Sequence, residues 1–401
     1  MHFKSLEFSI NKDLLNVSLY NIFCFEIPLD EIRKIDKNFR LKNINEIIFS
    51  KNTNKNSNKR FMFLIEKYMP NLKNKITQNK SIYIHENSSI PLFGLKFIGI
   101  IDKGSDMIEV KPLTSCNMNC IFCSVGEGIS SKKEVDFIVE EEYIVNELAK
   151  LIDYKKKKGN TIPISIWINP HGEPLLYSRI LDLIKDISKL PLVKDVHIIT
   201  SGVLLNKEIT DELAKIKKVK LNISISSFDS EKAAQLMGTK TYNLANVLNN
   251  VKYASEKGIE TIITPVYLHG VNDKDIEQLI EFCKNNQLKI SIQKFCCNMF
   301  GRNPVKEEEW DSFMAKLKTW EKKYNISLIG EGEIRSTPEL PLMFKKGDIV
   351  QAEITSYGRF FKDKIAVAKG RSILIPNCRK EKGMVKIKIT SSVNGMYMGS
   401  V

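Results

Sequence analysis

Long apolar runs are missing from this chain: no stretch approaches the roughly 18 consecutive apolar residues that a membrane-crossing helix needs. The opening residues, MHFKSLEFSINKDLL, also lack the basic, apolar and small-residue succession of a secretory leader. Both absences predict a protein of the cytoplasm with no membrane partner. Histidine is scarce, at 5 in 401 residues, and His85, His197 and His269 stand isolated without triad or metal-ligand spacing, so they read as structural. Acidic residues are outnumbered, 47 against 61 Lys and Arg, for a formal charge of +14. Such an excess favours polyanionic partners. Part of it lies in stretches such as KNTNKNSNKR at 51–60 and KKKK at 155–158, which read equally well as solvated surface.

Cysteine is present but sparsely clustered. In a reducing compartment the eight cysteines are poor disulfide partners, so a close group among them points to metal or catalysis. Cys116, Cys120 and Cys123 form the one such group, in C-x3-C-x2-C spacing. Thiolates are the usual ligands of iron–sulfur clusters, and three from the protein leave the fourth iron open to another molecule. A structural zinc site would want a fourth ligand, and the motif holds neither a further Cys nor a His. Cys24, Cys283 and Cys378 read as small core residues. The adjacent Cys296 and Cys297 are candidates for a catalytic role beside the alternative of an inert buried thiol.

From Met107 onward short β-branched runs alternate with amphipathic stretches. Strands are predicted at Met107–Leu113, Ile164–Ile168, Asp195–Thr200, Lys220–Ser226, Thr261–Tyr267 and Lys289–Phe295. Helices are predicted at Val139–Tyr154, Ser178–Lys189, Lys207–Lys217, Tyr242–Lys257, Asp273–Asn286 and Lys306–Tyr324. Strands joined by helices imply right-handed crossovers and a parallel sheet, and six such units give an α/β fold with a partial (β/α)6 barrel over 106–330. Its functional residues belong at the C-terminal strand ends. Residues 1–105 read as an α+β region of undetermined fold, with 51–60 as a loop. Beyond the Pro-containing STPELPLMFKKGD, five short strands with Gly or Asn turns predict a small OB-like β-barrel at 345–401. That segment holds twelve Lys and Arg against four acids, with Tyr357, Phe360 and Phe361 among them.

The cysteine motif, with Phe122 just before its last cysteine, resembles the signature of the radical S-adenosylmethionine (SAM) superfamily. The resemblance implies a [4Fe–4S] cluster on Cys116, Cys120 and Cys123, with SAM chelating the open iron and being cleaved reductively to a 5′-deoxyadenosyl radical. An external electron donor such as a ferredoxin or flavodoxin is implied with it. Further positions match the family pattern. His171-Gly172-Glu173 is similar to the Gly-Gly-Glu element that meets the methionine amino group of SAM, with His171 replacing the first glycine. Ser201, Ser224 and Ser226, at polar strand ends, are the positions where relatives contact the SAM carboxylate or ribose; short hydroxyl side chains are also common there as turn formers.

The C-terminal segment resembles the TRAM domain, an RNA-binding barrel of tRNA-modifying enzymes. Lys, Arg and aromatic side chains on such a barrel track phosphates and stack unpaired bases. The order of radical core then TRAM is that of the tRNA methylthiotransferases, but residues 1–105 hold only Cys24 and so lack the three cysteines of their second cluster. Radical modification of RNA, with tRNA the RNA that this architecture implies, is therefore expected by a route other than theirs. The alternatives are a radical SAM enzyme acting on a peptide or small metabolite, and a noncatalytic iron–sulfur RNA-binding protein.

Overall fold

The computed structural model describes residues 1–50, 54–329 and 334–401. Its centre is an open seven-stranded sheet in the order Lys289–Ile290, Glu260–Ile263, Val219–Ile223, Val193–Thr200, Ile164–Ile168, Met107–Lys111 and Gly99–Asp102. All neighbours are parallel except the last pair, where Gly99–Asp102 runs antiparallel to Met107–Lys111. Helices cover the outer face, among them Glu141–Lys157, Ile180–Lys189 and Leu244–Glu256. Their buried stripes explain the near-continuous apolar strands beneath them: Ile164, Ile166 and Ile168 are all fully buried.

Two strands are shorter than their β-branched runs suggest. Thr261–Tyr267 divides into Glu260–Ile263 and Val266–Tyr267 because Pro265 has no N–H for the ladder. Lys289–Phe295 divides likewise, and its second half, Gln293–Lys294, pairs with Val266–Tyr267 in a parallel extension at the sheet's C-terminal end. A short helix, Ser230–Leu236, went unforeseen; Asp229 caps it by accepting the Lys232 N–H at 2.8 Å.

A second sheet holds Leu6–Asn11, Leu14–Leu19, Phe23–Pro28, Lys73–Asn74, Lys80–Ile84 and Val135–Val139, in that order. Its last strand comes from beyond the cysteine motif and pairs parallel with Lys80–Ile84. The buried side chains from Leu6 to Leu328 accordingly form one continuous core across the boundary at 105 and 106. The segment expected as a loop at 51–60 is corrected in part: Asn54–Tyr68 is a helix, while 51–53 lie outside the described residues, as does the core boundary at 330. The polar start of that helix masks its pattern, but Phe61, Leu64 and Ile65 follow at helical spacing and are buried.

Residues 349–400 close into a five-stranded barrel, OB-like in size, in the order Ile349–Tyr357, Lys364–Ala368, Arg371–Ile375, Tyr397–Ser400 and Gly383–Ser391. Period-two patterning builds it: Val385, Ile387 and Ile389 fill the interior while Lys386 and Lys388 face out. The barrel is tied to the rest by backbone. Ser372 and Tyr397 donate N–H groups to the carbonyls of Phe93 (2.9 Å) and Gly94 (2.8 Å), and Glu134 N donates to Arg359 O (2.8 Å). The connecting segment is held by the fully buried Lys155, whose ammonium donates to Asp102 (2.9 Å), Thr337 (2.8 Å) and the Pro338 carbonyl (2.8 Å). Among the described residues, no helix is long and apolar enough to cross a membrane.

Candidate active site

The C-terminal ends of the central strands open into a cavity of about 340 Å3, whose lining includes Cys116, Cys120 and Cys123. These cysteines ride on the irregular loop that follows Met107–Lys111, and the loop is held by two outside anchors and a contact of its own. Asn119 and Ile121 donate N–H groups to the carbonyls of Met237 (3.1 Å) and Leu236 (3.0 Å), at the end of the unforeseen helix. Arg302 grips the outer edge, donating to the carbonyls of Cys120 (2.8 Å) and Glu127 (2.7 Å) and to Asn119 Oδ1 (2.8 Å). Glu127 N reaches Cys123 Sγ at 3.4 Å. Burial pushes the Cys116 thiol up, and pushes that of Cys120 up to about 12.

Glu173, 2% exposed, lines the same cavity, its N–H donating to Ser115 O at 2.8 Å beside Cys116. Its carboxylate accepts from Thr200 Oγ1 (2.6 Å), Ser201 Oγ (2.7 Å), Ser201 N (2.9 Å) and Leu175 N (3.1 Å). Gly172 lets this strand end approach the cysteine loop, since a Cβ there would lie 2.1 Å from Ser115 O. Ser224 and Phe122 line the same cavity. Ser226 does not: its Oγ accepts the Val266 N–H (3.1 Å) and its carbonyl takes an Asn272 Nδ2–H (2.9 Å), so it fastens a strand end. The adjacent cysteines separate as well. Cys296 lines the cavity with its Sγ 3.9 Å from Lys294 Nζ, whereas Cys297 is exposed outside it, its N–H on Glu307 at 2.7 Å.

Beneath the cysteine loop runs a buried charged network with little signal in the sequence. Lys133 pairs with Glu127 and with Asp136 (2.6 Å) and donates to Thr114 O. Asp136 also accepts from Asn74 (3.0 Å) and Thr77 (2.7 Å) of the N-terminal region. From the C-terminal barrel, Arg359 is 3% exposed, pairs with Glu127, and donates to His171 Nδ1 at 3.1 Å and Val125 O at 3.3 Å. Because guanidinium only donates, His171 accepts through Nδ1 and carries its proton on Nε2. Burial first, and then the Arg359 charge, hold the His171 imidazole well below the usual histidine range. The replacement of glycine by His171 thereby acquires a reason: it is a contact for the barrel. Glu127 and Arg359 are 232 positions apart, so no local pattern discloses the pair.

Residues 110–283 match the family model of the Radical SAM superfamily. An uncharacterized protein of Methanocaldococcus jannaschii is 32% identical over 365 residues, covering 82% of this chain and 83% of its own length. The chain belongs to the radical SAM superfamily. A GTP 3′,8-cyclase of Crocosphaera subtropica is 28% identical over 192 residues, 47% of this chain and 55% of the cyclase, so the match spans about half of that relative. The crystal structure of Streptococcus suis SuiB bound to S-adenosylmethionine aligns over 81% of this chain and 70% of its own, at 18% identity and a TM-score of 0.43.

Radical SAM proteins bind a [4Fe–4S] cluster and SAM, and the cofactors of this enzyme are those two. The residues present fit both. Among the described residues no three His, Cys, Asp or Glu side chains are arranged around a single metal ion. A cubane takes each thiolate on a different iron, so its ligands surround a wider volume, as the three cysteines around this cavity do. For SAM, the buried Glu173 carboxylate lines the cavity together with the cysteines and, among the described residues, has hydroxyl and N–H donors but no cation as partners. Its uncompensated charge matches an ammonium group.

Proposed function

We propose that this radical SAM enzyme modifies a nucleotide of RNA, with tRNA as the first RNA to test, and that its C-terminal barrel is a TRAM-like module that holds the strand. One observation carries the reading: the C-terminal segment, with twelve Lys and Arg against four acids, plants Arg359 against Val125 and Glu127, which line the reaction cavity, so a basic module is fastened directly to the cysteine loop. Of its twelve cations, Arg359 and Lys364 are buried; Lys362, Lys380, Lys382, Lys386 and Lys388 are among those left exposed for phosphate.

When bound, the reduced cluster and SAM supply a 5′-deoxyadenosyl radical; the chain's own residues orient and shield it. In this proposal Glu173 receives the SAM ammonium, Ser201 and Ser224 stand near its carboxylate or ribose, and Phe122 shields the cluster. Cys296, facing the cavity, is the member of the cysteine pair able to meet substrate. A ferredoxin or flavodoxin delivers the electron in the cytoplasm.

A second reading has one observation in its favour: the cyclase relative is named for GTP, which makes a free nucleotide the alternative substrate. The two are separated by anaerobic turnover with dithionite and SAM against total tRNA and against nucleoside triphosphates, followed by mass analysis of digested RNA and of the small molecules. A mass-shifted nucleoside in RNA supports the proposal. A product from free nucleotide, with RNA unchanged, replaces it by the second reading.

A further inference from the structure

A second cavity, of about 310 Å3, lies at the seam between the core and the C-terminal barrel. Its walls are aromatic on both sides. Phe300, from the loop after the last core strand, stacks on Phe360 of the barrel with centroids 4.9 Å apart and planes 18° from parallel. Phe300 remains 43% exposed, and the neighbouring Phe361, also in the wall, is 63% exposed. Large aromatic faces left in water at one place are the mark of a binding surface rather than of a core.

Charge accompanies the rings. Lys96 lines the cavity, is exposed, and holds its ammonium 5.0 Å from the Phe300 centroid. Among the described residues no carboxylate lies within ion-pair distance of it. Arg359 forms another part of the wall, and its Nε–H has no hydrogen-bond partner among the described residues. Partial desolvation, and then the Arg359 charge, hold the Lys96 amine below the usual lysine range, a cost that an anion would relieve. The acid in the wall, Asp363, is buried and accepts the Asn377 N–H at 3.4 Å, which leaves Lys96 as the exposed charge.

The two cavities share one loop. Cys296 and Asn298 line the reaction cavity, and Met299 and Phe300 line the seam cavity. Successive Cα atoms are about 3.8 Å apart, so Asn298 and Phe300 lie within roughly 8 Å of each other. Packing fixes this partition: Arg302 N bonds Cys123 O at 2.9 Å, and a Cβ on Gly126, where φ is +65°, would fall 2.2 Å from Phe300 O.

We propose that the seam cavity is a subsite for a nucleotide flanking the one that reacts, with its base stacked on Phe300 and Phe361 and its phosphate on Lys96. Every base offers a flat π-face and every nucleotide a phosphate, so a wall of rings beside a free cation fits single-stranded RNA without demanding a sequence. The inference rests on the reading of the substrate as RNA.

The test is fluorescence anisotropy of a short, labelled, single-stranded RNA with the full-length, cluster-reconstituted protein at low salt. Phe300→Ala and Phe361→Ala are each expected to weaken binding about five-fold or more, the low end of the effect of one stacked base. Phe361→Trp, which keeps a ring, restores it. Lys96→Gln lowers the slope of log affinity on log salt by about one. Phe361 is exposed, so its variants test the site even where Phe300→Ala disturbs the cysteine loop, which visible absorbance of the cluster reports. Wild-type affinity in the Phe361 and Lys96 variants, with Lys386→Gln and Lys388→Gln weakening binding instead, overturns the subsite and leaves the RNA reading standing. No RNA binding by the wild type overturns both.

Discussion

Glu173 sits at the junction of two demands. Its carboxylate organises the strand ends through Thr200 and Ser201, and it lines the same cavity as the three cysteines with no cation paired to it among the described residues. Glu173→Gln removes the charge and turns one acceptor into a donor among groups that donate to it. SAM affinity, measured by calorimetry, is expected to fall about tenfold or more, the range for a hydrogen bond to a charged group. Cluster absorbance should persist. At this scale the sequence was informative where chemistry and spacing coincide: Cys116, Cys120, Cys123 and Glu173 line one cavity. It was least informative for hydroxyls, since Ser224 and Ser226 are two residues apart at the same strand end and only Ser224 enters the cavity lining.

Between elements, the decisive contacts are those that lock the cysteine loop. The loop has almost no secondary structure of its own; Arg302, the Ser230–Leu236 helix end, Gly172 and the Arg359–His171 contact each hold one part. His171 makes this lock sensitive to pH. Its depressed native value means that the unfolded chain takes up a proton, below the ordinary value of about 6.5, that the native site refuses. Stability present above about pH 6.5 is therefore lost as pH falls below it. His171→Gln, which stays neutral, should flatten that part of the profile, measured as urea midpoints of the apoprotein at pH 7.5 and 5.5. An unchanged slope would place the histidine in solvent. The βα rhythm was legible because strands and helices bury apolar residues with different periods. The strand Val135–Val139 was not: its partner lies in the N-terminal region, and an all-buried run of five carries no period.

For the whole molecule, the surprise is continuity. The N-terminal sheet takes a strand from the core, shares its hydrophobic interior, and reaches the cysteine loop through Asn74, whose Nδ2–H meets Ser115 Oγ at 2.6 Å. The C-terminal barrel has its own small core, lends Ile365 to the main core, and is fastened besides by buried polar links. Lys155 is one, at the start of the connection. Lys155→Met leaves Asp102, 4% exposed at its side chain, without its cation, and costs about 3–5 kcal/mol. Chemical denaturation should then show the barrel's transition separating from that of the core; a single unshifted transition would contradict the tether. The sequence disclosed the barrel through alternation and charge, but the polar links that dock it join residues 182 or more positions apart, beyond any local pattern.

The central claim is that the three-cysteine cavity carries radical SAM chemistry. It is tested most directly by anaerobic reconstitution with iron and sulfide, addition of dithionite, SAM and cellular RNA, and chromatographic detection of 5′-deoxyadenosine. Wild type is predicted to form it, and the Cys116→Ala, Cys120→Ala, Cys123→Ala triple variant, folded by circular dichroism, to form none. Equal product from both, or none from a cluster-loaded wild type with RNA and with GTP alike, would contradict the account.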